Sequence, residues 1–233
     1  MNMDRQKVVV LLSGGMDSVC ALYYSAKRYE VVVALSFNYG SNHSHKELPC
    51  ASYHCEKLDI PHIVMDIDFI DKHFGESLLV GNEVYLPSYS NSNEVKKRAV
   101  PFRNGIMFSI AAGYAESKGA KGIVIATHSG EYSIYSDCRE KFLKLMSQAI
   151  HAGTYNEIDI IKPFVFMTKD QVAKIGKEHG VDFSKTWSCC EGVDQHCGEC
   201  DTCVERKSAF SSAGIADPTE YSSGDPLPPH PIN

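Results

Sequence analysis

Six residues near the start of the chain form a turn that can hold phosphate groups. After a short apolar run that ends at Leu12, the chain reads Ser13-Gly14-Gly15-Met16-Asp17-Ser18, and residues with helical spacing follow. The two glycines let the backbone approach a ligand closely, and the free amides at a helix start attract an anion. The hydroxyl groups of Ser13 and Ser18 add donors, and Asp17 is suited to positioning a metal ion. This turn is therefore predicted to bind phosphates.

The turn differs from two common glycine-rich phosphate loops. The sequence lacks both the Gly-x-x-x-x-Gly-Lys-Ser/Thr of a Walker A loop and the Gly-x-Gly-x-x-Gly of a dinucleotide site. The pattern Ser-Gly-Gly-x-Asp-Ser after a strand instead resembles the PP-loop of N-type ATP pyrophosphatases. That resemblance implies that the turn, together with Leu12, binds the pyrophosphate of ATP, and that the enzyme adenylates a carbonyl or carboxylate oxygen.

Four cysteines in the C-terminal part of the chain have the spacing of a structural metal site. They are Cys189, Cys197, Cys200 and Cys203. Four thiolates at these spacings can close a tetrahedral zinc site, and Gly198 helps the chain to turn around the metal. Four soft ligands favour closed structural zinc over an iron–sulfur cluster, but spacing alone leaves both open. Cys190 and His196 are competing ligands in the same segment.

Strands alternate with helices along the sequence, which predicts an α/β fold with a parallel sheet and helices on both faces. Apolar runs predict strands at 7–12, 31–37, 62–67, 122–127 and 158–163, and a helix is expected over 46–57. The remaining helices are predicted from apolar stripes, from a capping box and from a C-terminal glycine. The residues concerned are Val19, Leu22, Tyr23 and Ala26; Met107, Ile110, Ala111 and Tyr114 with Gly119; Phe142, Leu145, Met146 and Ala149; and Thr168, Gln171, Val172 and Ile175.

Two segments depart from this regular pattern. Residues 70–100 are polar and irregular, so they form either an insertion with a role, such as a lid, or a solvated loop without one. Residues 224–233 are a Pro-rich tail that cannot hold a helix. We therefore divide the chain into an ATP-binding domain over 1–180, a zinc-binding helical segment over 181–223, and the tail.

Composition restricts the class of protein. The 233 residues are 43% hydrophobic and 22% charged, as in soluble globular proteins, and the formal charge of −6 argues against an extended nucleic-acid surface. No run approaches the ~20 apolar residues of a membrane span, and the charged N-terminal residues argue against a secretory signal. Nine cysteines, several of them clustered, favour a metal over disulfides. We expect a cytoplasmic protein.

The remaining cysteines and several histidines show no ligand spacing, so we interpret them as ordinary thiols and ordinary histidines. They are Cys20, Cys50, Cys55 and Cys138, and His128, His151 and His179.

With both motifs in hand, the chain resembles the 7-cyano-7-deazaguanine synthase family, QueC, from about residue 7 to residue 221. Beyond the turn and the four cysteines, the resemblance is carried by several short segments. They are Tyr39-Gly40, Val100-Pro101-Phe102-Arg103-Asn104, Ser133-Ile134-Tyr135-Ser136-Asp137-Cys138-Arg139, Thr186-Trp187-Ser188-Cys189, Arg206 and Asp217-Pro218-Thr219. The same alignment makes Cys189, rather than Cys190, the first metal ligand.

The resemblance implies a carbon–nitrogen ligase that uses ATP, Mg²⁺ and Zn²⁺. ATP activates 7-carboxy-7-deazaguanine, ammonia gives the amide, and a second activation leaves the nitrile. Free ammonia is expected because no glutaminase segment is visible, and related enzymes form homodimers. Asp17, Asp137 and Arg139 are the catalytic candidates. The candidates for holding the substrate are Tyr39, His43, Arg103, Asn104, Glu131 and Arg139, with arginine suited to gripping a carboxylate.

Some positions depart from the family pattern. The usual Tyr-Gly-Gln-Arg-His becomes Tyr39-Gly40-Ser41-Asn42-His43, and Ser136 and Glu131 stand where the family has proline and aspartate. The Cys-Glu-Gly-Val that follows Cys189 also differs from the family pattern, which usually has an aromatic residue and two glycines there. These changes spare the ATP turn and the metal ligands but touch the surroundings of the substrate. They motivate an alternative in which the enzyme stops at the amide, or joins the acid to another amine such as one on a protein.

Two further functions are possible on the sequence alone. A tRNA thiolase of the PP-loop class would need a reactive cysteine pair or a basic surface, which the acidic charge and the four-cysteine cluster fit poorly. A non-catalytic zinc module would bind a nucleotide or a partner protein without turnover.

Overall fold

Short runs of β-branched residues form the strands of one parallel sheet. The computed structural model describes residues 5–74, 100–128, 136–191 and 194–223. Within these ranges the strands are Lys7–Leu11 (β1), Glu30–Asn38 (β2), His62–Asp66 (β3), Gly122–Val124 (β4) and Asp159–Ile161 (β5). They lie in the order β3-β2-β1-β4-β5, and every neighbouring pair is parallel. The predicted fold class is confirmed.

Helices connect the strands and cover both faces of the sheet. In the described ranges they are Met16–Arg28 (α1), Ser44–Leu58 (α2), Phe69–His73 (α3), Arg103–Ser117 (α4), Glu140–Gly153 (α5), Lys169–Glu178 (α6) and Asp201–Ala213 (α7). Two 3₁₀ turns occupy Ser136–Cys138 and Phe183–Lys185. None of the helices in these ranges combines the length and the apolar character needed to cross a membrane.

The alternation of side chains in β1 explains why both faces of the sheet are covered. Val8 and Val10 pack into a cluster that includes residues of α1, α6 and α7, whereas Val9 packs with α4 and α5 on the other face. All three valines are fully buried. A strand buried on both faces needs an apolar residue at every position, which is why this run is continuous rather than alternating.

The strand order places a cleft above the centre of the sheet. β2 and β3 lie on one side of β1, and β4 and β5 lie on the other, so the order of connection reverses between β1 and β4. Ligands of open α/β sheets bind at such a switch point, outside the carboxyl ends of the strands. The predicted phosphate turn follows the carboxyl end of β1 directly.

Several local predictions are confirmed. Thr168 and Gln171 form the capping box of α6, in which the Thr168 amide donates to the Gln171 side-chain oxygen at 3.0 Å. Gly119 follows α4 in the left-handed region, with φ +66°, and lies outside regular structure as a helix-terminating glycine should. The strands β4 and β5 are shorter than predicted.

Two apolar stripes were predicted only in part. In α5 the predicted Phe142 and Met146 pack against the core, but the fully buried residue is Leu143, whereas the predicted Leu145 is 55% exposed. In α4 the predicted Ala111 is fully buried and Tyr114 packs against the same cluster, whereas the predicted Met107 and Ile110 pack around Tyr39 and Val100. Adjacent stripes have the same helical spacing, so periodicity alone does not choose between them. Most of residues 70–100, residues 129–135 and the tail 224–233 lie outside the described residues.

Candidate active site

The turn after β1 has the geometry of a phosphate-binding loop. Gly14 lies at φ +94°, where a residue with a Cβ is strained. The Ser18 hydroxyl accepts the amides of Ser13 and Gly14 at 3.2 and 3.3 Å and donates to the Gly15 carbonyl at 3.0 Å. Gly15 is the N-cap of α1 and provides no side-chain cap. The first amides of α1 can therefore donate to an anion in the cleft, with the helix dipole favouring negative charge.

Three charged or titratable side chains from distant parts of the chain surround Asp17. The Lys169 ammonium, at the start of α6, lies 3.3 Å from the Asp17 carboxylate and 3.1 Å from that of Glu205 on α7. His128, which follows β4, has its Nε2 3.8 Å from the same Asp17 oxygen. Burial would raise the pKa of Asp17, but Lys169 and His128 outweigh it and hold the pKa below its usual value. Asp17 is therefore ionised at neutral pH.

The second oxygen of Asp17 fits the metal that ATP chemistry needs. Asp17 Oδ1 is buried and has no hydrogen-bond partner among the described residues. A buried carboxylate oxygen that faces a phosphate site is a ligand type that Mg²⁺ prefers. Asp17 thus fits a role in holding Mg²⁺ against the phosphates of ATP, where the ion would neutralise charge on the oxygens.

The first turn of α2 packs directly against the phosphate loop. A Cβ added at Gly14 would lie 2.1 Å from the Glu47 carbonyl oxygen, so only glycine permits this approach. The Glu47 carboxylate lies 3.7 Å from His43 Nε2, and both residues line the cleft. Burial raises the pKa of Glu47 to about 8 against the attraction of Arg103, while burial and Arg103 lower the pKa of His43 to about 4. At neutral pH the carboxyl group carries the proton and the imidazole is neutral.

A second wall of the cleft carries the predicted substrate residues. Arg103 donates to the Tyr39 hydroxyl at 2.9 Å, and its guanidinium carbon lies 5.2 Å from the centre of the Tyr39 ring. Asn104 follows Arg103 at the start of α4 and also lines the cleft. Phe102, immediately before them, has φ +52°, and its ring covers Gly105 so closely that a Cβ there would lie 2.3 Å away. This strained residue fixes the start of α4 and therefore the position of Arg103.

Asp137 and Arg139 lie at the starts of α4 and α5, and neither is among the residues that line the cleft. Asp137 accepts the Asn104 backbone amide at 3.0 Å, so its carboxylate caps the N-terminal turn of α4. Arg139 is exposed at the N-cap of α5. The described residues thus bring Tyr39, His43, Arg103 and Asn104 together at the cleft, and the catalytic role of Asp137 and Arg139 stays a prediction. Glu131 lies outside the described residues.

The four predicted cysteines converge on one point. Their sulfur atoms all lie within 4.8 Å of one another, and all nine cysteines of the chain are free rather than disulfide-bonded. The Cys189–Cys200 and Cys197–Cys203 sulfur distances are 4.0 Å, close to the ~3.8 Å between thiolates at 2.3 Å from a tetrahedral zinc. These residues fit a closed structural metal site.

The two competing ligands have other roles. His196 Nε2 lies 3.0 Å from the Ser188 amide and accepts from it, and the imidazole ring packs on Trp187. Cys190 is half-buried beside the cluster and lines the cleft instead. Gly198, at φ +85°, makes the turn between Cys197 and Cys200, as its place in the sequence predicted.

The metal-binding segment forms part of the cleft. The Trp187 amide donates to the Gly14 carbonyl at 3.1 Å, so the segment before the first cysteine is hydrogen-bonded to the phosphate loop. The fully buried Arg206 of α7 holds this segment in place: it donates to the Thr186 hydroxyl at 2.7 Å, the Ser188 hydroxyl at 3.2 Å and the Phe183 carbonyl at 2.9 Å. The cleft has a volume of about 380 Å³, the size of a small-molecule site.

Three residues of this site were not predicted from the sequence. His128 was interpreted as an ordinary histidine, and Lys169 and Glu205 were not singled out. A usable signal was present for two of them, since His128 follows β4 at the carboxyl edge of the sheet and Lys169 opens the helix after β5. Glu205 gave no signal, because its contact depends on how α7 packs.

Comparisons with known proteins agree with this geometry. The model of the family described as queuosine biosynthesis protein QueC matches residues 7–214. A 7-cyano-7-deazaguanine synthase from Porphyromonas gingivalis is 46% identical over 221 residues, covering 94% of this chain and 99% of that protein. The synthase of the same name from Desulfotalea psychrophila is 41% identical over 213 residues, covering 91% of this chain and 97% of that protein.

Solved structures share the fold at low sequence identity. An NMN synthetase from Francisella tularensis is similar with a TM-score of 0.55 and 19% identity, covering 92% of this chain and 79% of that one. The U34-tRNA thiolase NcsA from Methanococcus maripaludis is similar with a TM-score of 0.52 and 16% identity, covering 80% of this chain and 61% of that one. At these identities the likeness shows a common architecture.

Proposed function

We propose, from the premise that this chain belongs to the QueC family of queuosine biosynthesis proteins, that it converts 7-carboxy-7-deazaguanine to 7-cyano-7-deazaguanine. The reaction uses ATP and free ammonia and passes through the adenylated acid and the amide. One observation carries this proposal: the phosphate loop, through Ser13 and Gly15, and Arg103 line the same cleft. That arrangement suits ATP at one end and an anionic carboxylate at the other.

Different residues of the cleft are suited to binding the phosphates, the metal ion and the substrate carboxylate. The amides of the loop and Lys169 neutralise the phosphates, and Asp17 holds the Mg²⁺ that ATP brings. Arg103, supported by the Tyr39 hydroxyl at 2.9 Å, is placed to bind the substrate carboxylate. When bound, ATP supplies an activated leaving group on the substrate carbon. The Trp187 segment and the first turn of α2 close the sides of the cleft, which protects such an intermediate from water.

The metal is proposed to be zinc in a structural role. The four thiolates fill a tetrahedral shell, which leaves no open position for a substrate. Metal analysis of the purified protein tests this assignment: about one zinc per chain is expected, and iron in place of zinc would contradict it. The homodimer and the cytoplasmic location stay predictions, and light scattering of the purified protein tests the first of them.

Product analysis tests the function. The protein is incubated with ATP, Mg²⁺, ammonium and 7-carboxy-7-deazaguanine, and the products are identified by mass spectrometry while pyrophosphate is measured. We expect the nitrile with two pyrophosphates released for each nitrile formed. Amide without nitrile, or a conjugate with an added amine, would favour the alternative in which the enzyme stops at the amide or joins the acid to another amine. Asn42, in place of the family arginine, motivates that alternative, but the comparisons do not favour it. Nucleotide binding without pyrophosphate release would point to a non-catalytic module.

A further inference from the structure

Glu47 lies on a segment of backbone that packs directly against the phosphate loop. Its backbone carbonyl lies so close to Gly14 that a Cβ there would be 2.1 Å from the oxygen. Its side chain is 20% exposed and lines the cleft that also holds Arg103 and the loop. The Glu47 carboxyl group therefore lies in the same cleft as any ligand whose phosphates occupy the loop.

Two other acidic side chains of the cleft, Asp17 and Glu205, form ion pairs with the same lysine. Both lie within 3.3 Å of the Lys169 ammonium. Glu47 faces His43 at 3.7 Å on its own helix and Arg103 from α4, and Arg103 also donates to Tyr39. Because burial and Arg103 lower the pKa of His43 to about 4, the imidazole gives Glu47 no positive charge at neutral pH.

The proposed reaction removes all three protons of ammonia from nitrogen, and two of these losses accompany the departure of AMP. In the first of these two steps, ammonia forms a carbon–nitrogen bond with the acyl adenylate. The carbon–oxygen bond to AMP breaks, AMP leaves with the electron pair, and nitrogen loses one proton. Adenylation of the amide oxygen then releases pyrophosphate and one N–H proton, which leaves an imidate with a single N–H. In the second of the two steps, this imidate loses that proton as the carbon–oxygen bond to AMP breaks and AMP leaves with the electron pair, which gives the nitrile. Both steps need a group that accepts a proton near the reacting carbon.

We infer that Glu47 is this proton acceptor in both steps, an assignment that rests on the proposed function. The carboxylate form takes the proton from nitrogen, and the carboxylic acid then returns it to solvent at the open side of the cleft. The burial that raises the pKa of Glu47 to about 8 gives the carboxylate a basicity near that needed at neutral pH. An ordinary glutamate would be a much weaker base.

Substitution of Glu47 tests the inference when activation and nitrogen chemistry are measured separately. Exchange of labelled pyrophosphate into ATP with the acid, in the absence of ammonia, reports activation. Conversion of the amide to the nitrile with ATP reports the second of the two steps in which AMP leaves, and it needs no ammonia. In E47Q we expect exchange within about threefold of wild type and amide conversion lowered by about 100-fold or more. E47D, which keeps a carboxylate, should retain more activity than E47Q.

The matched control is Glu56, an exposed glutamate on the same helix. E56Q is expected to match the wild type in both assays. If E47Q instead raises the KM for the acid in the exchange assay and leaves the amide step unchanged, Glu47 binds the substrate and the proton-transfer role is wrong. Wild-type rates in E47Q would overturn the inference while leaving the proposed function intact. A wild-type protein that makes no nitrile would overturn both.

The pH dependence of the wild type gives a second measurement that needs no variant. Glu47 accepts a proton only when ionised, so amide conversion should rise with pH and level off above about 8. E47Q should lack this rise. A wild-type profile that is flat between pH 6 and 9 would contradict the inference even if E47Q failed to fold.

Discussion

Replacing Gly14 with alanine should damage the protein in two separable ways. The residue lies at φ +94°, where an L-residue is strained by about 1–2 kcal/mol. In addition, the new methyl group would lie 2.1 Å from the Glu47 carbonyl oxygen, whereas ordinary contact begins near 3.4 Å. Either the loop or the first turn of α2 must therefore move by about 1.3 Å. An overlap with backbone costs about 1–3 kcal/mol, so we expect Gly14→Ala to lose about 2–5 kcal/mol of unfolding free energy.

Two other glycines separate the cost of the backbone strain from the cost of the steric overlap. Gly180 lies at φ +80° with open space around its Cβ position, so Gly180→Ala should show the backbone strain without the overlap, about 1–2 kcal/mol. Gly113, inside α4, has neither a positive φ nor a neighbour within 4 Å. Gly113→Ala should therefore stabilise the protein by about 0.5–1 kcal/mol, because alanine is the better helix former.

Urea denaturation of the three variants measures the stabilities, and titration calorimetry with ATP measures the site. Gly14→Ala should bind ATP at least 10-fold more weakly than the wild type, whereas the other two variants should bind it as the wild type does. If Gly14→Ala and Gly180→Ala lower the unfolding free energy equally and both bind ATP normally, the overlap with the Glu47 carbonyl affects neither stability nor ATP binding. That result would refute the expectation that α2 packs too closely on the loop for any residue but glycine.

Three further predictions follow from the site. Arg206→Met removes a buried cation and leaves its hydrogen-bond acceptors unpaired, so the free energy of unfolding in urea should fall by about 3–5 kcal/mol. Cys203→Ser should abolish zinc binding in metal analysis, whereas Cys190→Ser, beside the cluster, should keep about one zinc per chain. Lys169→Met should raise the KM for ATP by about 10–100-fold through loss of a charged hydrogen bond, whereas Lys174→Met, a half-exposed lysine of the same helix, should leave it unchanged. Unchanged ATP kinetics in Lys169→Met would remove that lysine from the nucleotide site.

The parts of the structure that the sequence predicted correctly are those set by neighbouring residues. The strand β1 and the turn at Gly14 could be predicted because a buried parallel strand needs a continuous apolar run, and a phosphate turn needs glycine at its start. The four cysteines converge because Gly198 and the short spacings permit little else. The capping box at Thr168 is likewise contained within four residues. In each case the determining residues lie close together in the sequence, although the approach of α2 to Gly14 could not be predicted from it.

The parts that were missed depend on contacts between elements. Lys169 meets Asp17 only because α6 packs beside α1. Its place at the start of the helix after β5 indicates the edge of the sheet but does not identify Asp17 as its partner. The pKa of Glu47 depends on burial under other elements, so its sequence neighbours give no sign of it. In α5 the predicted Phe142 and Met146 do pack against the core, but Leu145 was chosen in place of Leu143, because adjacent stripes have the same period and the packing on the sheet decides between them.

Hydrogen bonds connect the four-cysteine segment, residues 181–223, directly to the ATP site. Cys189 follows Ser188 and Trp187 directly, and the Trp187 amide is hydrogen-bonded to the Gly14 carbonyl. Arg206, on the helix that begins after Cys200, donates to the hydroxyl group of Ser188. A segment tied at one end to the metal and at the other to the phosphate loop transmits the loss of the metal to the loop. A structural metal held by these four thiolates would therefore act on catalysis through the position of Gly14, although it would leave no place for a substrate.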